Sequence, residues 1–221
     1  MAVDLYHTEP SPPCRAVRIV AKQLGVELNL IKVDLVAEVH KTAEFERINP
    51  SKVVPVIADD GFLVSESRVI LTYLVNRYSP GHKLYPSDAK KRGEIDRVLF
   101  LTAELFQRSK AIARPVFYEN KWPIPDESIQ NYLELLMTLE KLTNGRKFLA
   151  GDEISIADIS FICDLTVLTD VLKVEICAVA LGIKDWMERI KAVLPEYEEL
   201  ITKPVNDFRK LVESKLGVKL D

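Results

Sequence analysis

The chain reads as an α+β N-terminal unit of order β-α-β-α-β-β-α over residues 1–79, a linker at 80–87, and an all-helical unit over residues 88–221. Three observations carry this. From Ala2 to Leu35 the apolar pattern passes from strand-like to helical and back. Asp59-Asp60-Gly61 then separates two short β-branched or aromatic runs, as the turn of a hairpin does. Beyond Ser87 no strand pair recurs, and apolar residues fall at helical spacing.

Ala2 to His7 alternates and predicts a first strand. Thr8-Glu9-Pro10-Ser11-Pro12-Pro13 is a loop whose prolines place a helix start near Pro13, since the first turn tolerates a missing N–H. Cys14, Val17, Val20, Ala21 and Leu24 hold helical spacing, with Gly25 as the stop. Leu28 to Leu35 predicts a second strand, parallel to the first because a helix connects them. A short helix is expected around Ala43 to Arg47. The hairpin follows, then a helix over Glu66 to Tyr78. That order matches a thioredoxin-like unit.

In the second unit, Ala89 to Arg114 is heptad-like, and Pro115 is expected to bend or end it. Trp122-Pro-Ile-Pro-Asp126 is a break, and Glu127 to Thr143 is amphipathic. Ser155 with Asp158 three residues on gives a capping pattern ahead of Ile159 to Leu172, which is apolar nearly all round and so belongs at the centre of the unit. Lys184 to Val193 and Pro204 to Lys215 close the chain as helices.

Composition narrows the function classes. The 221 residues are 48% hydrophobic and carry a net charge of −3, which gives no basic excess for nucleic acid. No apolar run approaches the about 20 residues of a membrane span. The early Asp4 and the lack of an apolar leader predict a cytoplasmic protein. Cys14, Cys163 and Cys177 show no metal spacing and read as reduced thiols, while His7, His40 and His82 are too far apart for a zinc motif; no metal is expected.

Two stretches carry chemistry. In Ser51 to Arg68, Pro55 lacks a ladder donor and belongs at a strand start or edge, which leaves the Val54 backbone open to another partner. Glu66-Ser67-Arg68 supplies hydroxyl, carboxylate and N–H groups at a helix N-terminus. An ordinary hairpin capped onto a helix is the alternative. In Ser11-Pro12-Pro13-Cys14, serine stands at a strand-to-helix corner where redox proteins of this topology carry their first cysteine. A serine there cannot exchange disulfides, but its hydroxyl can donate to a nearby sulfur and favour the thiolate. A shift of one to two pKa units corresponds to roughly 1.4–2.7 kcal/mol. A simple helix cap is again the alternative. Cys14 lies on the apolar stripe, where packing is its expected role.

Taken in order, S-P-P-C-R, F-x-x-I-N-P, V-P, E-S-R and S-I-A-D resemble the cytosolic glutathione S-transferases, specifically the insect delta/epsilon group that uses serine. The resemblance covers both units and implies an enzyme that conjugates the thiolate of reduced glutathione to apolar electrophiles, a detoxification-type activity. It assigns Ser11 to thiol activation. It assigns Val54, beside Pro55, to the cysteinyl part of glutathione, Glu66, Ser67 and Arg68 to the γ-glutamyl end, and His40 to the glycyl end. Lys52 stands where the family pattern favours histidine; it can meet the glycyl carboxylate as a point charge, or remain a solvated loop lysine. Glu9-Pro10 replaces the more usual Pro-Gly and stiffens the loop before the serine.

The same resemblance implies an electrophile site between the units, lined by Pro12, Phe106, Ser109, Ile112, Arg114, Phe117, Tyr118 and Phe208. With few aromatics and one charge it suits aliphatic or anionic acceptors, unless Arg114 simply points to water. It also implies a homodimer through the Glu66–Tyr78 and Ala89–Arg114 helices. Two other readings remain open: a glutathione-fold carrier with low turnover, and a thiol transferase working through Cys14, against which the leading serine argues.

Overall fold

The computed structural model describes residues 2–176 and 180–220, so Cys177 lies outside the described residues. The chain divides into two compact units, Met1–Ser87 and Asp88–Asp221. The first contains β1 (Val3–His7), α1 (Pro12–Gln23), β2 (Leu28–Lys32), α2 (Ala43–Ile48), β3 (Val56–Asp59), β4 (Phe62–Ser65) and α3 (Ser67–Tyr78). Its sheet runs β2-β1-β3-β4. β1 and β2 are parallel across the α1 crossover, while β3 is antiparallel to both β1 and β4. This is the thioredoxin-like order.

Strand alternation assigns the two faces of this sheet. Leu5 is paired with Ile57, and Ile57 with Val64; all three are buried on one face. The apolar stripes of α1 and α3 are buried too, at Val17, Ile19 and Val20 and at Ile70, Leu71 and Leu74, and the two helices pack on each other. Each fully buried aliphatic side chain there contributes about 1.5–3 kcal/mol. Tyr6 and Val56 turn the other way and pack with Val33 and Phe45, the latter from α2.

β2 ends at Lys32, short of the expected Leu35. Asp34 turns the chain there, its carboxylate accepting the N–H groups of Val36 and Ala37 at 2.9 and 3.0 Å. The hairpin turn is made by Asp60 and Gly61, both at positive φ (49° and 83°), the handedness that matches strand twist. The segment expected as a linker carries Leu84 and Tyr85, both buried, and groups with the first unit. Asp88 then caps the next helix by accepting from the Lys91 N–H.

The second unit contains α4 (Ala89–Glu119), α5 (Asp126–Thr143), α6 (Ile156–Thr166), α7 (Leu181–Val193) and α8 (Lys203–Leu216), with π-type turns at Val167–Val171 and Glu198–Thr202. α4 does not end at Pro115: it runs through the proline and stops one turn later, at Asn120 in the left-handed region. A proline in a helix interior costs about 3 kcal/mol. Here Ile112, Ala113 and Val116 are buried on both sides of it, and packing of that stripe outweighs the lost bond. α6 is buried at every position, as its uniform apolarity predicts. It is anchored by Asp158, fully buried, whose carboxylate accepts from the N–H groups of Leu149 (2.9 Å) and Ser155 (2.9 Å), the Ser155 hydroxyl (2.7 Å) and the Trp186 indole (2.9 Å). Burial pushes this carboxyl above the ordinary range against those four donors.

In the first unit a second buried carboxylate ties sheet to helix. Asp59, at the end of β3, accepts from the Tyr73 and Tyr78 hydroxyls, both at 2.7 Å, with the Arg77 guanidinium 3.7 Å away. Burial raises its pKa, but the two phenols and Arg77 outweigh it, so the carboxyl is held below its usual value. A folded pKa below the unfolded one gives stability that is complete above about pH 4 and lost as pH falls through the folded value. Tyr78→Phe is therefore expected to cost about 1.5–3 kcal/mol at pH 7. In urea unfolding, the gap from wild type should narrow as pH is taken below about 4. A gap that stays constant with pH would show that the contact acts through packing alone.

Candidate functional site

Four sequence-assigned segments converge because of strand register. Val56 is paired both with Tyr6 of β1 and with Ser65 of β4. The exit of β1 into the Ser11 loop, the approach to β3 through Val54-Pro55, and the exit of β4 into Glu66-Ser67 therefore lie side by side. β2, parallel to β1, ends in the same direction and leads toward His40. The site is an end of the sheet.

Ser11 precedes α1 and is half-buried; its carbonyl accepts from the Arg15 N–H at 3.0 Å. Its hydroxyl makes no capping bond to the first turn, so the helix-cap alternative does not hold. Cys14, one turn in, is fully buried, and burial pushes its thiol up to about 11, with the Ser11 side chain and the Thr8 backbone acting in the opposite sense. A thiol in that state is protonated and shielded, which argues against redox chemistry at Cys14. Pro12, on the expected electrophile wall, occupies the first position of α1.

The Val54–Pro55 peptide is cis, and Val54 lies outside the ladder; among the described residues no hydrogen bond engages its backbone. The loop before it is built on Asn49, which is buried. The Asn49 side-chain amide donates to the Val53 carbonyl at 2.8 Å, its side-chain oxygen accepts the Ser51 N–H at 3.0 Å, and its backbone carbonyl accepts the Lys52 N–H at 2.9 Å. Lys52 has φ +55°, and its ammonium lies 3.0 Å from the Glu46 carboxylate of α2. Sequence reasoning quoted I-N-P but gave Asn49 no role, and it passed over Glu46. An Asn before Pro in a turn is the signal for an Asx turn; nothing local signals the ion pair.

Glu66 is exposed and has φ 66° and ψ 104°, a conformation uncommon for a residue with a side chain. It makes no side-chain cap, so the first N–H groups of the twelve-residue helix α3 open toward the end of the sheet beside Ser67 and Arg68. That is a site for a carboxylate. The imidazole Nδ1 of half-buried His40 is buried without a hydrogen-bond partner.

In the second unit the expected electrophile wall divides over different faces. Ser109 and Ile112 belong to the buried stripe of α4, and the Ser109 hydroxyl donates to the Phe106 carbonyl at 2.9 Å. Phe117 and Phe208 meet edge to face with ring centroids 4.7 Å apart. Lys215 of α8 donates to the Phe117 carbonyl, and Lys110 lies over the Phe106 ring at 5.7 Å. Arg114 and Tyr118 are exposed.

Two outcomes test this geometry. Asn49→Ala is expected to raise KM for the thiol substrate about tenfold, with a smaller change in KM for the electrophile, because the loop before Val54 loses the two side-chain ties to Ser51 and Val53. An equal rise in both constants would mean general loosening of the fold. In the native protein, Cys14 is expected to resist alkylation at neutral pH and to react after denaturation, as mass spectrometry would record; fast native labelling would restore the redox reading.

Comparison with known proteins identifies the family. Residues 5–82 match the family described as Glutathione S-transferase, N-terminal domain, and residues 69–193 match Glutathione S-transferase, C-terminal domain. Glutathione S-transferase 1 of Manduca sexta is 32% identical over 220 residues, covering 98% of this chain and 100% of the relative. A delta-class glutathione transferase from Nilaparvata lugens superposes with a TM-score of 0.88 at 30% identity, over 96% of this chain and 99% of that one. An epsilon-class glutathione S-transferase from the housefly, Musca domestica, gives 0.88 at 31%, over 98% and 99%. With both domain families matched in order and an insect relative aligned end to end, the chain belongs to the glutathione S-transferase family, as an enzyme of the insect delta/epsilon kind.

Proposed function

We propose that Ser11 is the group that activates glutathione in this transferase, with a detoxification-type role toward apolar electrophiles. The observation that carries the reading is the Ser11 hydroxyl: it stands at the head of α1, at the end of the sheet where β1 leaves beside the Val54–Pro55 approach to β3, yet does not cap the helix. With glutathione bound, the hydroxyl turns to the ligand's sulfur and stabilises the thiolate. The thiol proton leaves to solvent, the thiolate forms a carbon–sulfur bond, and the leaving group departs with its electron pair. Serine remains a hydrogen-bond donor throughout and forms no covalent intermediate.

Binding divides along the molecule. Val54 offers its open N–H and carbonyl to the cysteinyl peptide. Ser67, Arg68 and the N-terminus of α3 take the γ-glutamyl carboxylate, and Glu66 takes its ammonium. Lys52 and His40 take the glycyl carboxylate. Pro12, Phe106, Ser109, Ile112, Arg114, Phe117, Tyr118 and Phe208 remain the proposed electrophile residues; of these, Phe106, Phe117 and Phe208 form the half-buried aromatic part that suits an apolar acceptor. Exposed apolar side chains at Val69 of α3 and Phe100 of α4 support association with a second copy through the α3 and α4 faces, which sedimentation would reveal as a dimer. A cytoplasmic site of action fits reduced Cys14 and Cys163, both buried.

The test compares conjugation of glutathione to a generic aryl halide by wild type and Ser11→Ala. A loss of tenfold or more in kcat/KM is expected, about 1.4 kcal/mol of transition-state stabilisation. The pH dependence should move with it. In wild type the rate should rise through a bound-thiol pKa one to two units below the free value of about 8.5, and in Ser11→Ala that inflection should return toward the free value. An unchanged profile with an unchanged rate would remove Ser11 from the mechanism.

A further inference from the structure

The ion pair between Glu46 and Lys52 lies at one edge of the proposed glutathione site and has a consequence for which thiols the enzyme prefers. Lys52 is held from two directions. Its backbone is fixed at φ +55° by the turn onto the Asn49 carbonyl, and its ammonium is drawn to Glu46, 3.0 Å away on α2. Both side chains remain partly in water, at 38% and 51% exposed. The ammonium can therefore exchange partners without leaving solvent.

We propose that Glu46 is a specificity-determining residue that competes with the glycyl carboxylate of glutathione for Lys52. The inference rests on the reading that Lys52 meets that carboxylate. In the free protein Glu46 occupies the ammonium. On binding, the glycyl carboxylate takes its place or shares it, and two anions then lie within reach of one cation. The Glu46 charge thus lowers affinity for a thiol carrying a negative C-terminal group and leaves a thiol without one nearly unaffected. Discrimination between charged and neutral termini is narrower than Lys52 alone would set. Because both partners are exposed, the effect is small, on the order of two- to fivefold.

The probes are glutathione and its glycyl ethyl ester, which keeps the thiol and the γ-glutamyl end but neutralises the glycyl carboxylate. Their dissociation constants are measured by calorimetry on wild type, Glu46→Gln, Lys52→Ala and the double variant. Glu46→Gln is expected to tighten glutathione binding about two- to fivefold, leave the ester within error of wild type, and lose its gain at high salt. Lys52→Ala is expected to weaken glutathione relative to the ester, and in that background Glu46→Gln should no longer help. If Lys52→Ala raises the glutathione-to-ester ratio of dissociation constants but Glu46→Gln changes nothing, or tightens both ligands equally, the competition is overturned and the Lys52 assignment stands. If Lys52→Ala leaves the ratio unchanged, the assignment fails and the competition fails with it.

Discussion

The double pairing of Val56 governs everything at the working end of the first unit. One residue of β3 lies opposite Tyr6 on one side and Ser65 on the other. Register in a sheet is all or nothing: a slip of one residue would turn every side chain to the opposite face and bury the wrong set. Leu5, Ile57 and Val64 on the face away from Tyr6 fix it. Apolar packing thereby determines where three polar segments finish, although none of those segments belongs to the core. A change that disturbed this register would disperse Ser11, Val54 and Ser67 together.

Within that frame, precise placement is left to a few buried polar side chains, each holding several partners. The Asn49 side chain ties two backbone groups of one loop, Asp59 gathers two phenols and a guanidinium, and Asp158 accepts four donors. A buried polar group that is fully satisfied specifies one arrangement, because any other leaves partners desolvated and unbonded. These three residues touch different elements and serve different ends. Asn49 shapes the loop before Val54, Asp59 locks β3 to α3, and Asp158 links the start of α6 to the loop before it and to α7.

What was legible in the sequence was what depends on short-range spacing. The Asp-Gly hairpin, the parallel strand pair implied by a crossover helix, the Ser155–Asp158 capping pattern and the buried run that follows it are local statements, and the structure contains each one. What stayed hidden depends on distant neighbours. Pro115 reads as a bend or an end by its own chemistry, and burial of Ile112, Ala113 and Val116 lets the helix continue through it. Of the proposed electrophile residues, those on α4 are close in sequence, yet a helix turns by about 100° per residue, which sends Ile112 inward and Arg114 to solvent. Glu46 and Lys52 meet only because the intervening turn puts Lys52 at positive φ.

The corner at Ser11 shows how a fold associated with thiol chemistry can give up its own thiol. Cys14 is one helical turn from the serine, so proximity alone would make it a rival nucleophile. Burial pushes its pKa up to about 11, and at pH 7 such a thiol is ionised in only about one molecule in ten thousand. A bound thiol whose pKa lies one to two units below about 8.5 is ionised in a substantial fraction of molecules at the same pH. The thiolate fractions then differ by roughly three orders of magnitude or more, and access widens the gap, since Cys14 has no exposed surface. On the proposed role of Ser11, the buried thiol is therefore no rival: the hydroxyl favours the sulfur that carries charge, because a bond to an ionised acceptor is about twice as strong as one to a neutral acceptor.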